Sequence, residues 1–221
     1  MTHDEILKAL YDETMVGNGP AVIELTRTGL DDGLTPSQLL FDALIPSLEE
    51  VGARFERGDF FVPEMLIAGR AMSGALEILR PLLAQTGAET VGTFLMGTVK
   101  GDVHDIGKNL VNIMLEGAGF QVIDIGVQAA PEKFIAGIEE HKPDIVGMSA
   151  FLTTTMPMFK ANINALEKAG LRDQVIVMVG GAPVTQEYAD VCGADGYAAD
   201  AATAVRRAKD LLAKKRAAAK V

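Results

Sequence analysis

The residues best suited to chemistry lie between Thr98 and Lys108, in the run Thr-Val-Lys-Gly-Asp-Val-His-Asp-Ile-Gly-Lys. Asp102, His104 and Gly107 stand there in the spacing Asp-x-His-x-x-Gly, and His104 is one of three histidines in 221 residues. An imidazole with a carboxylate two residues away can ligate a metal through one ring nitrogen while the carboxylate holds the other. The duller alternative is a helix-capping aspartate beside a surface histidine. The six-residue pattern arises by chance in roughly 2% of chains this long, so it does not decide between them alone.

The surroundings narrow the choice. Thr93-Phe94-Leu95-Met96 reads as a buried strand and Asn109 to Leu115 as the first turns of a helix. The run is therefore a loop at the carboxyl end of a strand, where open parallel sheets place their ligands. Two further loops are unusual. Ser149-Ala150-Phe151-Leu152-Thr153-Thr154-Thr155 carries four hydroxyls in seven residues, and Val179-Gly180-Gly181-Ala182-Pro183 ends a strand on paired glycines. Small residues at a strand end let something bulky lie against the backbone. One of the threonines would also serve as a cap for the next helix, and the glycines as an ordinary tight turn.

These loops need a scaffold, and the periodicity supplies one. Residues 4 to 16, 21 to 30, 36 to 55 and 63 to 84 carry apolar positions at helical spacing, with Pro46 expected to kink the third segment. Four helices with short connections make a small antiparallel bundle. Gln85 to Glu89 reads as a linker. Beyond it, strands at 91 to 97, 121 to 125, 144 to 149, 175 to 179 and near Gly196-Tyr197 alternate with helices at about 107 to 118, 131 to 141, 155 to 169, 185 to 191 and 201 to 216. That alternation predicts a doubly wound parallel sheet. The basic, alanine-rich run to Lys220 suits a solvated terminal helix.

Composition excludes several classes of function. An apolar fraction of 48% with 23% charged residues is that of a globular protein with a real core. The net charge of −10 argues against nucleic acid or an anionic membrane as partner. No run of about 18 apolar residues would span a bilayer, and the first residues lack the pattern of a signal peptide. The single cysteine, Cys192, fits a reducing, cytoplasmic setting and is expected to be packed and inert. His3 and His141 read as surface residues. No phosphate-binding Gly-x-x-x-x-Gly-Lys loop, dinucleotide Gly-x-Gly-x-x-Gly or Gly-x-Ser-x-Gly elbow occurs, and the histidine and cysteine count is too low for the usual zinc sites.

Taken together, the three loops resemble the fingerprint of corrinoid proteins of methyltransferase systems and of the cobalamin-binding region of methionine synthase: Asp-x-His-x-x-Gly, then Ser-x-Leu, then Gly-Gly. The longer string Gly97 to Asn109 is far more specific than its core. Phe61-Val62-Pro63-Glu64-Met65-Leu66 and Ala71-Met72 are similar to the family's helical cap, so the resemblance covers nearly the whole chain. One position departs: where the pattern has Leu, this chain has Phe151, followed by Leu152.

The resemblance implies a flavodoxin-like α/β cobalamin domain, residues 87–221, preceded by an all-α four-helix cap, residues 1–86. It implies that His104 replaces the cofactor's own benzimidazole as lower axial ligand of cobalt, with Asp102 behind it and Thr155 extending the relay. Gly101, Val103, Asp105, Ile106 and Gly107 would complete the loop under the corrin. Ser149, Thr153, Gly180 and Gly181 would line the slot for the nucleotide tail, with Phe151 and Leu152 beside it and Tyr197 and Ala198 closing its far end. Phe61 and Met65 would cover the upper face, on a cap hinged at residues 85 to 90. The implied function is a methyl carrier rather than a complete enzyme. It would receive a methyl group from one partner methyltransferase and pass it to a second acting on a folate or thiol, with a reductive activase as third partner. A mutase cofactor subunit, a cobalamin sensor and a corrinoid-free flavodoxin-like domain are the rivals. The first lacks such a cap, the second needs a DNA-binding module, and the third would bind no cobalamin.

Overall fold

The computed structural model describes residues 1–86 and 90–218. The chain divides into two compact units, Met1–Thr90 with Glu116–Gly119, and Val91–Leu115 with Phe120–Val221.

The first unit is helical. α1 (His3–Met15) begins at a capping box in which Thr2 and Glu5 bond each other's backbone, and α2 (Gly19–Asp31) begins on Pro20. Thr35 and Gln38 form a second capping box for the short α3 (Pro36–Gln38). The third segment is not one kinked helix. Leu39–Leu44 forms a π-helical turn, in which the Ile45 amide donates to the Leu40 carbonyl, before α4 (Ile45–Arg57) resumes. Pro46 explains this: it has no N–H to give the carbonyl four residues back, and the helix widens by one residue ahead of it. Gly58, at φ 78°, ends α4 in the left-handed region. α5 (Val62–Thr86) continues through Gln85 and Thr86, which the sequence assigned to a linker; the rest of that expected linker, 87–89, lies outside the described residues. Ile6, Leu10, Val22, Leu39, Met72 and Leu79 form buried stripes of these helices.

The second unit alternates strand and helix: β1 (Thr93–Thr98), α6 (Ile106–Gly117), β2 (Gln121–Asp124), α7 (Pro131–His141), β3 (Ile145–Ser149), α8 (Pro157–Lys168), β4 (Ile176–Gly180), α9 (Gln186–Cys192), β5 (Gly196–Ala198) and α10 (Ala201–Ala218). The five strands are parallel in the order β2-β1-β3-β4-β5. Leu95, Val146, Met148, Val177 and Val179 point to one face, where they pack with Phe134 and Ile138 of α7 and Phe159 and Ile163 of α8. α10 packs on β4 and β5 through a buried alanine face, Ala201, Ala204 and Ala208. Among the described residues no helix is long and apolar enough to cross a membrane.

The register sets the site. Thr98 pairs with Ser149, Ser149 with Gly180 and Gly180 with Ala198, so the loops that follow β1, β3 and β4 leave the sheet side by side. The chain turns to opposite sides after β1, to β2 on one flank and β3 on the other, and ligands of doubly wound sheets bind at that reversal.

Gly181 closes this edge: its φ is +136°, and a Cβ there would run into the Ala150 carbonyl oxygen. Ala150 cannot retreat freely, since its amide donates to the Gly180 carbonyl at 3.1 Å. Gly181→Ala is expected to destabilise the protein by about 2–3 kcal/mol, lowering its melting temperature by roughly 5–10 °C. Wild-type melting of this variant would show that the close approach is not obligatory.

Candidate functional site

Gly101, at φ +86°, makes a turn after β1 that other residues adopt at a cost, and it sends Asp102 into the protein. Asp102 is 0% exposed, while its neighbours Val103, Asp105 and Ile106 are on the surface. Its carboxylate accepts five hydrogen bonds. On Oδ1 these come from the His104 amide at 3.0 Å and the His104 ring Nδ1 at 2.7 Å. On Oδ2 they come from the Phe151 amide at 2.8 Å, the Leu152 amide at 3.2 Å and the Thr155 hydroxyl at 2.8 Å. Burial alone would raise this carboxyl's pKa. The hydrogen bonds from the His104 amide, the Thr155 hydroxyl, the His104 ring and the Phe151 amide outweigh it and hold the carboxyl well below the usual carboxylate range. An ionised carboxylate only accepts, so Nδ1 carries the ring proton in neutral His104 and the lone pair sits on Nε2.

The rest of His104 is held as firmly. Its carbonyl accepts from the buried Thr98 hydroxyl at 3.1 Å, and its ring stacks on Phe151, with centroids 4.4 Å apart and planes at 27°. Its side chain is 44% exposed. Val103, Phe151 and Leu152 are exposed in the same two loops, and Ile106 is exposed where α6 begins. Apolar surface gathered in this way marks a binding region. Among the described residues no group of three or more His, Cys, Asp or Glu side chains gathers to hold a metal, so His104 is not part of a protein-built metal cage.

The structure joins Asp102, His104 and Thr155 directly. Thr155 does not cap α8, whose N-cap position is Met156 without a side-chain bond and whose first turn is set by Pro157. Instead its hydroxyl lies 2.8 Å from both Asp102 Oδ2 and the Leu152 carbonyl. Thr153 is exposed. Ser149, Gly180 and Ala198 lie in register across three strands. Tyr197, expected beside them, alternates to the other face, where its ring packs against the core under α7–α9. Gly107 opens α6 with no atom within 4 Å of where a Cβ would stand. In the helical unit Phe61 is 65% exposed, but Met65 is 1% exposed.

Two contributors were not visible in the sequence. Thr98 anchors the His104 carbonyl from the end of β1, and a buried hydroxyl at a strand end gives no local signal of that. Lys108, 3% exposed, places its ammonium against Asp124 and 2.7 Å from Asn109 Oδ1, tying the first turn of α6 to the end of β2. Cys192 is buried, which raises its thiol pKa. His3 contacts the Asp32 carbonyl at 3.0 Å, and His141 lies 3.7 Å from Glu140; both are remote in sequence from the three loops.

Comparison with known proteins bears on this geometry. Residues 92–206 match a B12 binding domain, and residues 6–80 match a second B12 binding domain model. The chain is 41% identical over 214 residues to dimethylamine corrinoid protein 1 of Methanosarcina acetivorans, covering 96% of this chain and 100% of that one. It is 39% identical over 214 residues to a corrinoid protein of Desulfitobacterium hafniense, covering 96% and 97%. Among solved structures it superposes on the methanol:cobalamin methyltransferase complex MtaBC of Methanosarcina barkeri with a TM-score of 0.84 at 29% identity, covering 95% of this chain and 80% of that one. The three aligned loops, the two matched domains and the full-length relatives agree: the chain belongs to the cobalamin-binding corrinoid proteins of methyltransferase systems.

Proposed function

We propose that this chain holds cobalamin through His104, takes its methyl group from a small methylated amine on a partner methyltransferase, and yields it to a second methyltransferase whose acceptor is a folate or thiol. A reductive activase and a reducing, cytoplasmic setting complete the reading. The observation that carries it is the lone imidazole: Nδ1 committed to an ionised buried carboxylate, Nε2 free, and exposed apolar side chains around it. A metal bound by one protein donor must bring its remaining ligands with it, and a corrinoid held by His104 would do so. The bound group supplies a cobalt centre able to accept and release a methyl group.

The residues present fit that group. Asp102 fixes the tautomer of His104 and strengthens Nε2 as a donor. Thr155 holds a proton that can be directed to Asp102 Oδ2 or to the Leu152 carbonyl. Val103, Ile106 and Leu152 provide an apolar floor, and the open space at Gly107 leaves room for a bulky neighbour at the helix start. The amine donor is supported by the full-length similarity to dimethylamine corrinoid proteins of Methanosarcina acetivorans and Methanosarcina barkeri, at 41% and 42% identity.

Protein reconstituted with hydroxocobalamin is expected to show nitrogen hyperfine splitting from histidine in the EPR spectrum of its reduced cobalt, and His104→Ala to bind cobalamin without it. Unchanged splitting in the variant would sink the ligand assignment. Gly107→Ala should fold at least as well as wild type, gaining up to about 1 kcal/mol of helix propensity, yet bind cobalamin more weakly. Unaltered binding in an equilibrium titration would place Gly107 away from the cofactor. Mixed separately with dimethylamine and methanol methyltransferases and their substrates, the loaded protein should be methylated in the first mixture and not the second. The reverse result would overturn the amine donor.

A further inference from the structure

The departure at position 151 has a structural counterpart. The ring of Phe151 lies against the imidazole of His104, 4.4 Å between centroids and 27° between planes. The Asp102 bond constrains Nδ1 but leaves the ring some freedom to tilt about the line from Cβ to Nδ1. A second contact on the ring's face removes that freedom. Asp102 also holds the second partner, since its Oδ2 accepts the Phe151 amide at 2.8 Å while its Oδ1 accepts the imidazole. One carboxylate thus sets the positions of both rings. The Phe151 side chain is 51% exposed, so its placement on His104 is not a by-product of core packing. A leucine at this position would retain apolar contact but offers no planar face to match the imidazole.

We propose that Phe151 is a positioning residue that fixes the plane of the His104 imidazole by stacking on it, so that Nε2 is presented in one orientation. The stack is a contact made by the protein's own side chains; a ligand held in its bound geometry loses less freedom on binding. The inference rests on the reading of His104 as the cobalt ligand, and it adds a task for a residue that does not itself touch the metal.

The test uses full-length protein carrying Phe151→Leu or Phe151→Tyr. In cofactor-free protein, the imidazole carbon-bound protons of His104 should resonate upfield in wild type and Phe151→Tyr, under the ring current of the stacked aromatic, and lose that displacement in Phe151→Leu. In cobalamin-loaded protein, the histidine nitrogen splitting of the reduced cobalt should be sharp in wild type and Phe151→Tyr and broadened in Phe151→Leu, reporting a spread of ring orientations. Cobalamin affinity should fall roughly two- to tenfold in Phe151→Leu and be largely restored in Phe151→Tyr. Identical His104 shifts in wild type and Phe151→Leu would show that the rings do not stack, overturning the proposal while the function reading stands. A ring-current shift with no histidine splitting in loaded wild type would remove the ligand, and with it both the function reading and the proposal. Loss of affinity in Phe151→Leu without altered shifts or splitting would assign Phe151 to apolar contact with the cofactor alone, which also overturns it.

Discussion

The Asp102 carboxylate joins two loops whose bonded residues are 49 to 53 positions apart in sequence, and the geometry of the site depends on it. A buried charge without partners costs several kcal/mol, so such a group persists only where its surroundings satisfy it. Here three backbone amides, one hydroxyl and one imidazole converge on two oxygens. The five donors also define the loops' conformations, because each amide must point at the same carboxylate. The consequence is geometric more than energetic. A loop whose surface side chains are largely exposed keeps one shape because its inward-facing residue allows no other.

The sheet makes this convergence possible. β1 and β3 are neighbours only because the chain doubles back, placing β2 on the outer side of β1. Their register puts Thr98 opposite Ser149, so both loops leave the sheet at the same level. The Thr98 hydroxyl then reaches the His104 carbonyl, and Asp102 reaches the amides after Ala150. Gly181 allows the β4 loop to lie close against Ala150, bringing the third strand end to the same place. A side chain at Gly181 would press on Ala150, the residue just before the amides that bond Asp102. Close backbone approach and buried charge are thus parts of a single constraint.

What the sequence revealed of this site follows from distance along the chain. Asp102, His104 and Gly107 are legible because their spacing is local, and the strands are legible as short apolar runs such as Ile145 to Met148 and Ile176 to Val179, buried on both faces. Thr155 was picked out for its hydroxyl, but its partner lies 53 residues away and the alternative of a helix cap was equally consistent with the sequence. The role of Thr98 and the stacking of Phe151 depend on which strands are neighbours and on their register, which periodicity does not encode. In the helical unit, Pro46 signalled a disturbance but not its form, since a kink and a π-helical turn both relieve the missing N–H. Met65 and Phe61 stand four residues apart, yet one is buried and the other exposed; the apolar pattern alone did not separate them.

A site built on one imidazole poses a problem that the surrounding residues answer. Proteins that build their own metal centres gather several ligands, and each ligand restrains the ion. One imidazole restrains little, so its own position must be fixed by other means. In this chain the fixing is done on four sides: a carboxylate at Nδ1, a hydroxyl at the carbonyl, the Asp102 oxygen at the amide, and an aromatic ring on the face. The remaining direction, along Nε2, is not used by these contacts. Exposed apolar side chains at that edge would be a liability for a protein with nothing to cover them. They are reconciled with the rigid imidazole if both serve the same large, mostly apolar partner, one that would need from the protein a well-oriented nitrogen donor and a surface to rest on.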